Sequence, residues 1–295
     1  MPLSPFLIRT LRVICFLTFV GHGWVCLNGQ MPIRALLWDE ELMTGVVENW
    51  LQMDWGTYVS SMEMADRIDG VVRVQGWLFL FLGTCCLIPL RRWCGTVYLA
   101  GAANLGLLAW LKYLDAGSGI GMLLEHASQF CLPVILYLAL YVGPERPRWS
   151  RATDLIARAS LALAFACHGL FAMGLHADIT LLSHPMPQSY LEMTMACLGL
   201  ESEAVAERIL LVVGKIDILV AVLIFIRPIQ WWPLAYMVLW GFVTALARPW
   251  AHPDSLDAWI PEMIYRAPHF GLPLVLLLLN RSRKKTTPET PTNSQ

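Results

Sequence analysis

Four of the seven histidines in this chain, His22, His126, His168 and His269, fall inside or beside long apolar stretches, as do Glu125, Arg73, Lys215 and Asp217. An ionisable side chain in such a stretch is costly in hydrocarbon and normally faces a bundle interior or a wet cavity, so these eight residues make the expected polar pocket. Histidine can relay protons near neutral pH or ligate a metal. His22-Gly23 and His168-Gly169 repeat one dipeptide, and the competing reading of each is packing, with the glycine admitting a neighbouring helix. Two histidines on two helices could hold a haem iron axially, but nothing else in the sequence supports haem, and no metal site is expected. Lys215 and Asp217 are two positions apart, so they do not face each other on a helix. Each needs a partner elsewhere, and Arg73 is the candidate for Asp217. There is no phosphate loop, His-Glu-x-x-His or nucleophile elbow, so no catalytic residue is assigned.

The elements that carry these groups follow from the distribution of charge. Apolar residues make up 57% of the chain and charged ones 15%, well under the roughly one quarter usual for soluble domains. The net charge of −1 points neither to nucleic acid nor to an acidic partner. No Lys, Arg, Asp or Glu occurs from Val13 to Ile33, Val74 to Leu90, Trp93 to Leu111, Ala127 to Pro144, Ala159 to Ala177 or Pro228 to Ala247. Each gap is near the about 17–25 residues that cross hydrocarbon. Two further apolar stretches carry charge: Ile209 to Ile226 with Lys215 and Asp217, and Met263 to Asn280 with Arg266 and His269. Backbone groups must be satisfied internally in lipid, so an all-α integral membrane protein of eight transmembrane helices is expected.

The loops sort by charge. Arg91 and Arg92, then Arg146, Arg148 and Arg151, then Arg227, and finally Arg281, Arg283, Lys284 and Lys285 all fall on one side of an eight-span chain. The other side holds the connection from Asn28 to Gly70, with eight acids against two arginines, and the acidic stretch from Gly174 to Arg208. The positive-inside rule then places both termini in the cytoplasm, with the chain in the cell (inner) membrane. The basic, then Thr/Pro-rich segment 282–295 reads as a disordered cytoplasmic tail.

The chain also matches itself. Arg12, Leu17, Phe19 and His22-Gly23 meet Arg158, Leu163, Phe165 and His168-Gly169, each 146 residues later. Ala65-Asp66-Arg67-Ile68 meets Ala206-Glu207-Arg208-Ile209, Pro89 and Trp93 meet Pro228 and Trp232, and Ala127, Phe130, Leu132 and Pro133 meet Ala267, Phe270, Leu272 and Pro273. An ordered series of this kind marks an internal repeat. Residues 1–145 form a first four-helix unit and 152–281 a second. An even span number makes the units parallel, related by an axis along the membrane normal.

The residues that carry the repeat also carry a resemblance. Leu11-Arg12 through Phe19-x-x-His22-Gly23, followed by Val74-Gln75-Gly76 through Leu82-Gly83, resembles the opening helices of the DoxX-like membrane family. Ala157-Arg158 through Phe165-x-x-His168-Gly169 repeats the signature, while the second half replaces the glycine-rich helix by Val213-Gly214-Lys215-Ile216-Asp217. The resemblance implies two such four-helix units fused in tandem, associated with a membrane redox system that is sometimes quinone-linked, and a redox partner protein.

Depth then orders the polar residues. With this topology His22, His168, Arg73, Lys215, Asp217, Glu125, His126, Arg266 and His269 share one layer in the outer leaflet, which Lys112 and Arg248 close, and the inner halves are apolar. Arg12 and Arg158 are expected to snorkel at the inner boundary. The outer segments Ala35–Trp38 and Trp50–Trp55 mix Trp with acids and read as short interfacial helices. The eight cysteines have no C-x-x-C, and a Cys26–Cys197 bridge is weakly motivated. The leading expectation is a membrane redox role through a quinone-type lipid in the bilayer. The alternatives are a small-solute transporter or channel and a non-catalytic scaffold subunit. They differ in what they predict: a lipid-accessible cleft beside His22 or His168, polar residues continuing inward, or dispensable histidines.

Overall fold

A computed structural model describes residues 1–29, 31–115, 120–143, 147–175 and 188–286. Regular structure among them is helical, apart from a single isolated bridge. Arg146 and residues 287–295 of the expected tail lie outside the described residues, as does part of the second acidic connection.

Among the described residues, six helical stretches are long and apolar enough to cross a membrane. The first is α1 (Pro5–Leu27), where Ser4 accepts the Leu7 amide and Pro5 enters the first turn. Such an N-cap satisfies one of the orphan donors that every helix start exposes. Three short helices follow, α2 (Pro32–Leu37), α3 (Glu40–Trp50) and α4 (Trp55–Ser60). Asp39 and Asp54 cap α3 and α4. The stretch 50–55, expected to be a helix, is instead the turn between them, with Gln52 at φ 55°, because Asp54 satisfies the Thr57 amide and starts a new helix. Val47, Tyr58, Met64 and Ile68 form a small core under these helices.

The second stretch is α5 (Met62–Leu87), the third lies on α6 (Val97–Asp115), and the fourth is a broken helix, α7 (Ile120–Glu125) and α8 (Ala127–Tyr141). The fifth is α9 (Arg151–Ala172), capped by Ser150. After α10 (Gln188–Leu198) come α11 (Glu203–Leu223) and α12 (Trp231–Ala251), each of 21 residues. These two were expected to span over 209–226 and 228–247. They have the length, but the charges at Glu203, Glu207, Arg208, Lys215 and Asp217 on α11, and the Trp-rich sequence with Arg248 and Pro249 on α12, keep them from joining the six. The sixth stretch is again a broken helix, α13 (Leu256–Tyr265) and α14 (Ala267–Thr286).

Packing pairs the helices in matching ways. α1 lies along α5 and α9 along α11; α6 lies along α8 and α12 along α14. Between the halves, α1 meets α13 and α14, while α9 meets α7 and α8. One continuous core takes Leu11, Phe19, Leu132 and Leu136 from the first half and Leu161, Phe165, Leu272 and Leu276 from the second. Where α1 and α9 begin, the two starts are tied together. Pro2 and Arg148 form the antiparallel bridge, Leu3 donates to the Pro147 carbonyl at 3.0 Å, and Trp149 donates to the Met1 carbonyl at 2.7 Å.

Candidate functional site

The two helix breaks position the site. Each replaces one α-helical residue by a near-zero ψ: His126 at φ −85°, ψ 3° and Arg266 at φ −82°, ψ 4°. Pro133 and Pro273, one helical stretch further on, each lack the amide that would bond the carbonyl four residues back. The breaks therefore deliver Glu125-His126 and Tyr265-Arg266 into the protein, and each break reaches a histidine of the opposite half.

His22 meets the second break. Its ring stacks on Tyr265 at 4.3 Å and 8°, with Phe79 5.7 Å away on another side. Its Nε2 donates to the Gln129 side-chain oxygen at 2.8 Å. His168 meets the first break. Its Nε2 lies 3.5 Å from Glu125 Oε1, its Nδ1 shares a hydrogen bond with the Tyr190 hydroxyl at 3.0 Å, and its ring stands edge-on to His269 at 5.4 Å.

Buried charges join the two surroundings. Arg266 Nη2 is 3.9 Å from Glu125 Oε1, and Glu262 Oε2 lies 3.2 Å from Arg266 Nη1 and 3.4 Å from Arg248 Nε. Arg266 and Lys112 also stand over the Tyr265 ring. His126 is fully satisfied. Its Nδ1 donates to the Met122 carbonyl at 2.7 Å, and Lys112 Nζ donates to its Nε2 at 3.0 Å, so it holds its break rather than facing a cavity.

One cleft opens off this network, in the second half between α9, α10, α11 and α12. It holds about 960 Å³ of empty space, counting its mouth, and its walls include Phe165, Val213 and Trp240. His168, His269, Asp217 and Arg248 line it as well. Asp217 accepts from the Tyr236 hydroxyl at 2.8 Å. His269 Nδ1 donates to the Arg266 carbonyl at 3.3 Å, which leaves Nε2 as the acceptor nitrogen. That atom is buried and meets no hydrogen-bond partner among the described residues. A buried polar atom without a partner is uncommon enough to point to a ligand or water.

Of the eight residues expected in the pocket, the structure gathers His168, His269 and Asp217 on the cleft, with Glu125 behind His168 and His126 beyond it. His22 joins the same network but not the cleft. Arg73 and Lys215 are exposed, and Asp217 takes Tyr236 rather than Arg73 as its partner. On α5 and α11 these two cations point away from the faces that pack on α1 and α9. Tyr190, Tyr236, Tyr265 and Gln129 were not singled out from the sequence, since a neutral side chain carries no charge signal, and Glu262 was not because it stands just before the apolar stretch Met263 to Asn280.

The packing role of the paired glycines is real. A Cβ on Gly169 would lie 2.5 Å from the Gly214 carbonyl oxygen, and one on Gly23 would meet Leu80 at 2.9 Å. Arg158 does not snorkel. It is buried, pairs with Asp154 at 2.8 Å and donates to the Ile224 carbonyl at 2.6 Å, satisfying the end of α11. Cys26 and Cys197 are both free thiols.

No family model matches the chain, and neither does any curated protein or solved structure.

Proposed function

We propose that the chain is a DoxX-like protein of the cell membrane that supports a redox process by holding the head group of a quinone-type lipid in the cleft beside His168 and His269. It crosses the bilayer eight times as two parallel four-helix units, with both termini cytoplasmic. The observation that carries the ligand reading is the unpartnered His269 Nε2 beside a cleft with mostly apolar walls. Apolar walls with a few placed polar groups are what an amphiphilic ligand needs. A hydroxyl of the reduced lipid would donate to that nitrogen.

Pairwise likeness supports the two-unit reading. Ser4 and Ser150 cap α1 and α9, the breaks at His126 and Arg266 share one backbone conformation, and each break touches the histidine of the other half. The bridged residues Pro2 and Arg148 are themselves 146 positions apart, the interval that relates the two histidines, and an antiparallel contact between equivalent residues is what a twofold axis produces.

The test is purification with native lipids, an absorbance spectrum and lipid mass spectrometry. A quinone-type lipid is expected with the natural chain and with Lys215→Ala, and about ten-fold less with His269→Ala, a loss worth roughly 1.4 kcal/mol. Equal lipid in His269→Ala, or none with the natural chain, defeats the reading. The buried charges that join the halves favour one other reading, a scaffold, which predicts that no such lipid co-purifies.

A further inference from the structure

At the inner end of α1 the two halves differ in a way that the cleft does not explain. Arg158 has two partners, Asp154 and the Ile224 carbonyl. Arg12 stands 146 residues earlier, and Ile8 stands where Asp154 does. The Arg12 side chain is half-buried, and its Nε is buried without an acceptor among the described residues. Instead of a carboxylate, Arg12 faces a cavity of about 770 Å³ of empty space, counting its mouth, lined by Ile8, Arg9, Arg12, Leu90, Leu140 and Tyr141. A guanidinium stays charged at any physiological pH, and a buried nitrogen on it needs an acceptor.

We propose that this cavity is a binding site for the phosphate group of an anionic phospholipid of the inner leaflet. Arg9 and Arg12 are one helical turn apart on α1, so both reach one group. Arginine's planar fork matches phosphate oxygens two at a time. Ile8, Leu90 and Leu140 give the adjoining acyl chains an apolar wall. Clustered basic residues at a cytoplasmic membrane boundary are where anionic headgroups collect. In the second half Asp154 already fills this role, so one lipid per chain is expected.

The experiment places the full chain in nanodiscs of phosphatidylcholine with or without phosphatidylglycerol, then measures lipid retained on transfer to detergent by native mass spectrometry. Retention of one phosphatidylglycerol, reduced about ten-fold in Arg12→Gln and restored in part by Arg12→Lys, supports the site. Arg9→Gln is expected to lower retention less, and it serves if Arg12→Gln fails to fold. Retention unchanged in both glutamine variants overturns the proposal. Displacement of the lipid by millimolar inorganic phosphate overturns the lipid as the source.

Discussion

The surroundings of His22 and His168 share a plan and differ in what fills them. Both histidines precede a glycine that seats a neighbouring helix, and both touch a break from the opposite half. Around His22 the contacts are closed and neutral: an aromatic stack, an amide, and Phe79 buried against the ring. Around His168 they are charged and open: a carboxylate replaces the stacked tyrosine, His269 replaces the glutamine, and a cleft remains. Asp217 stands on α11 where Phe79 stands on α5, counting from Gly76 and Gly214, which seat Gly23 and Gly169. Two halves that pair their helices alike can therefore keep similar packing while one surrounding becomes core and the other retains space. Polar groups that face a cavity cannot be mutually satisfied by packing alone, and that is why the open copy also holds the unpartnered nitrogen.

The contrast can be broken at its two break residues. Glu125→Gln removes the buried carboxylate that faces both His168 and Arg266, and is expected to cost about 3 kcal/mol, the lower end for breaking a buried pair, since both contacts are long. Tyr265→Phe keeps the stack on His22 and is expected to cost about 1 kcal/mol or less. Thermal unfolding of both variants in one detergent checks this, and equal losses would remove the distinction between a charged and a neutral copy. Tyr236→Phe is expected to cost about 1–3 kcal/mol in the same assay, because it strips the buried Asp217 of its hydroxyl donor. The position on α5 that matches Asp217 is Phe79, which needs no such partner. The smallest effect on unfolding is expected from Val213→Phe, which sets a ring into the cleft. It should reduce co-purified lipid about ten-fold, or roughly 1.4 kcal/mol of binding. Undiminished lipid would show that the open space beside His168 is not what the lipid fills.

Much of the frame was legible because it follows from one physical rule. Long runs without charge must be helical in hydrocarbon, and five of the six charge-free runs lie on stretches long and apolar enough to span. The positions of His22-Gly23 and His168-Gly169 on packing faces were readable for the same reason, since a small residue beside a helix marks close approach. The outer helices were readable only in part. A Trp-rich, acidic stretch looks interfacial, but whether 50–55 is helix or turn depends on where Asp54 caps.

Composition and spacing by themselves determined that this chain is helical and apolar, where its ionisable residues cluster along the sequence, and that its halves echo each other. Partnership was decided only in three dimensions. Nothing in the local sequence says that Asp217 pairs with Tyr236 and not Arg73, that Arg158 is claimed by Asp154 and the end of α11 while Arg12 is left facing a cavity, or that Glu125 reaches across to His168. Apolarity is a property each residue carries into the fold. A hydrogen bond or an ion pair belongs to two residues at once, and its distance is set by how helices far apart in the chain come to pack.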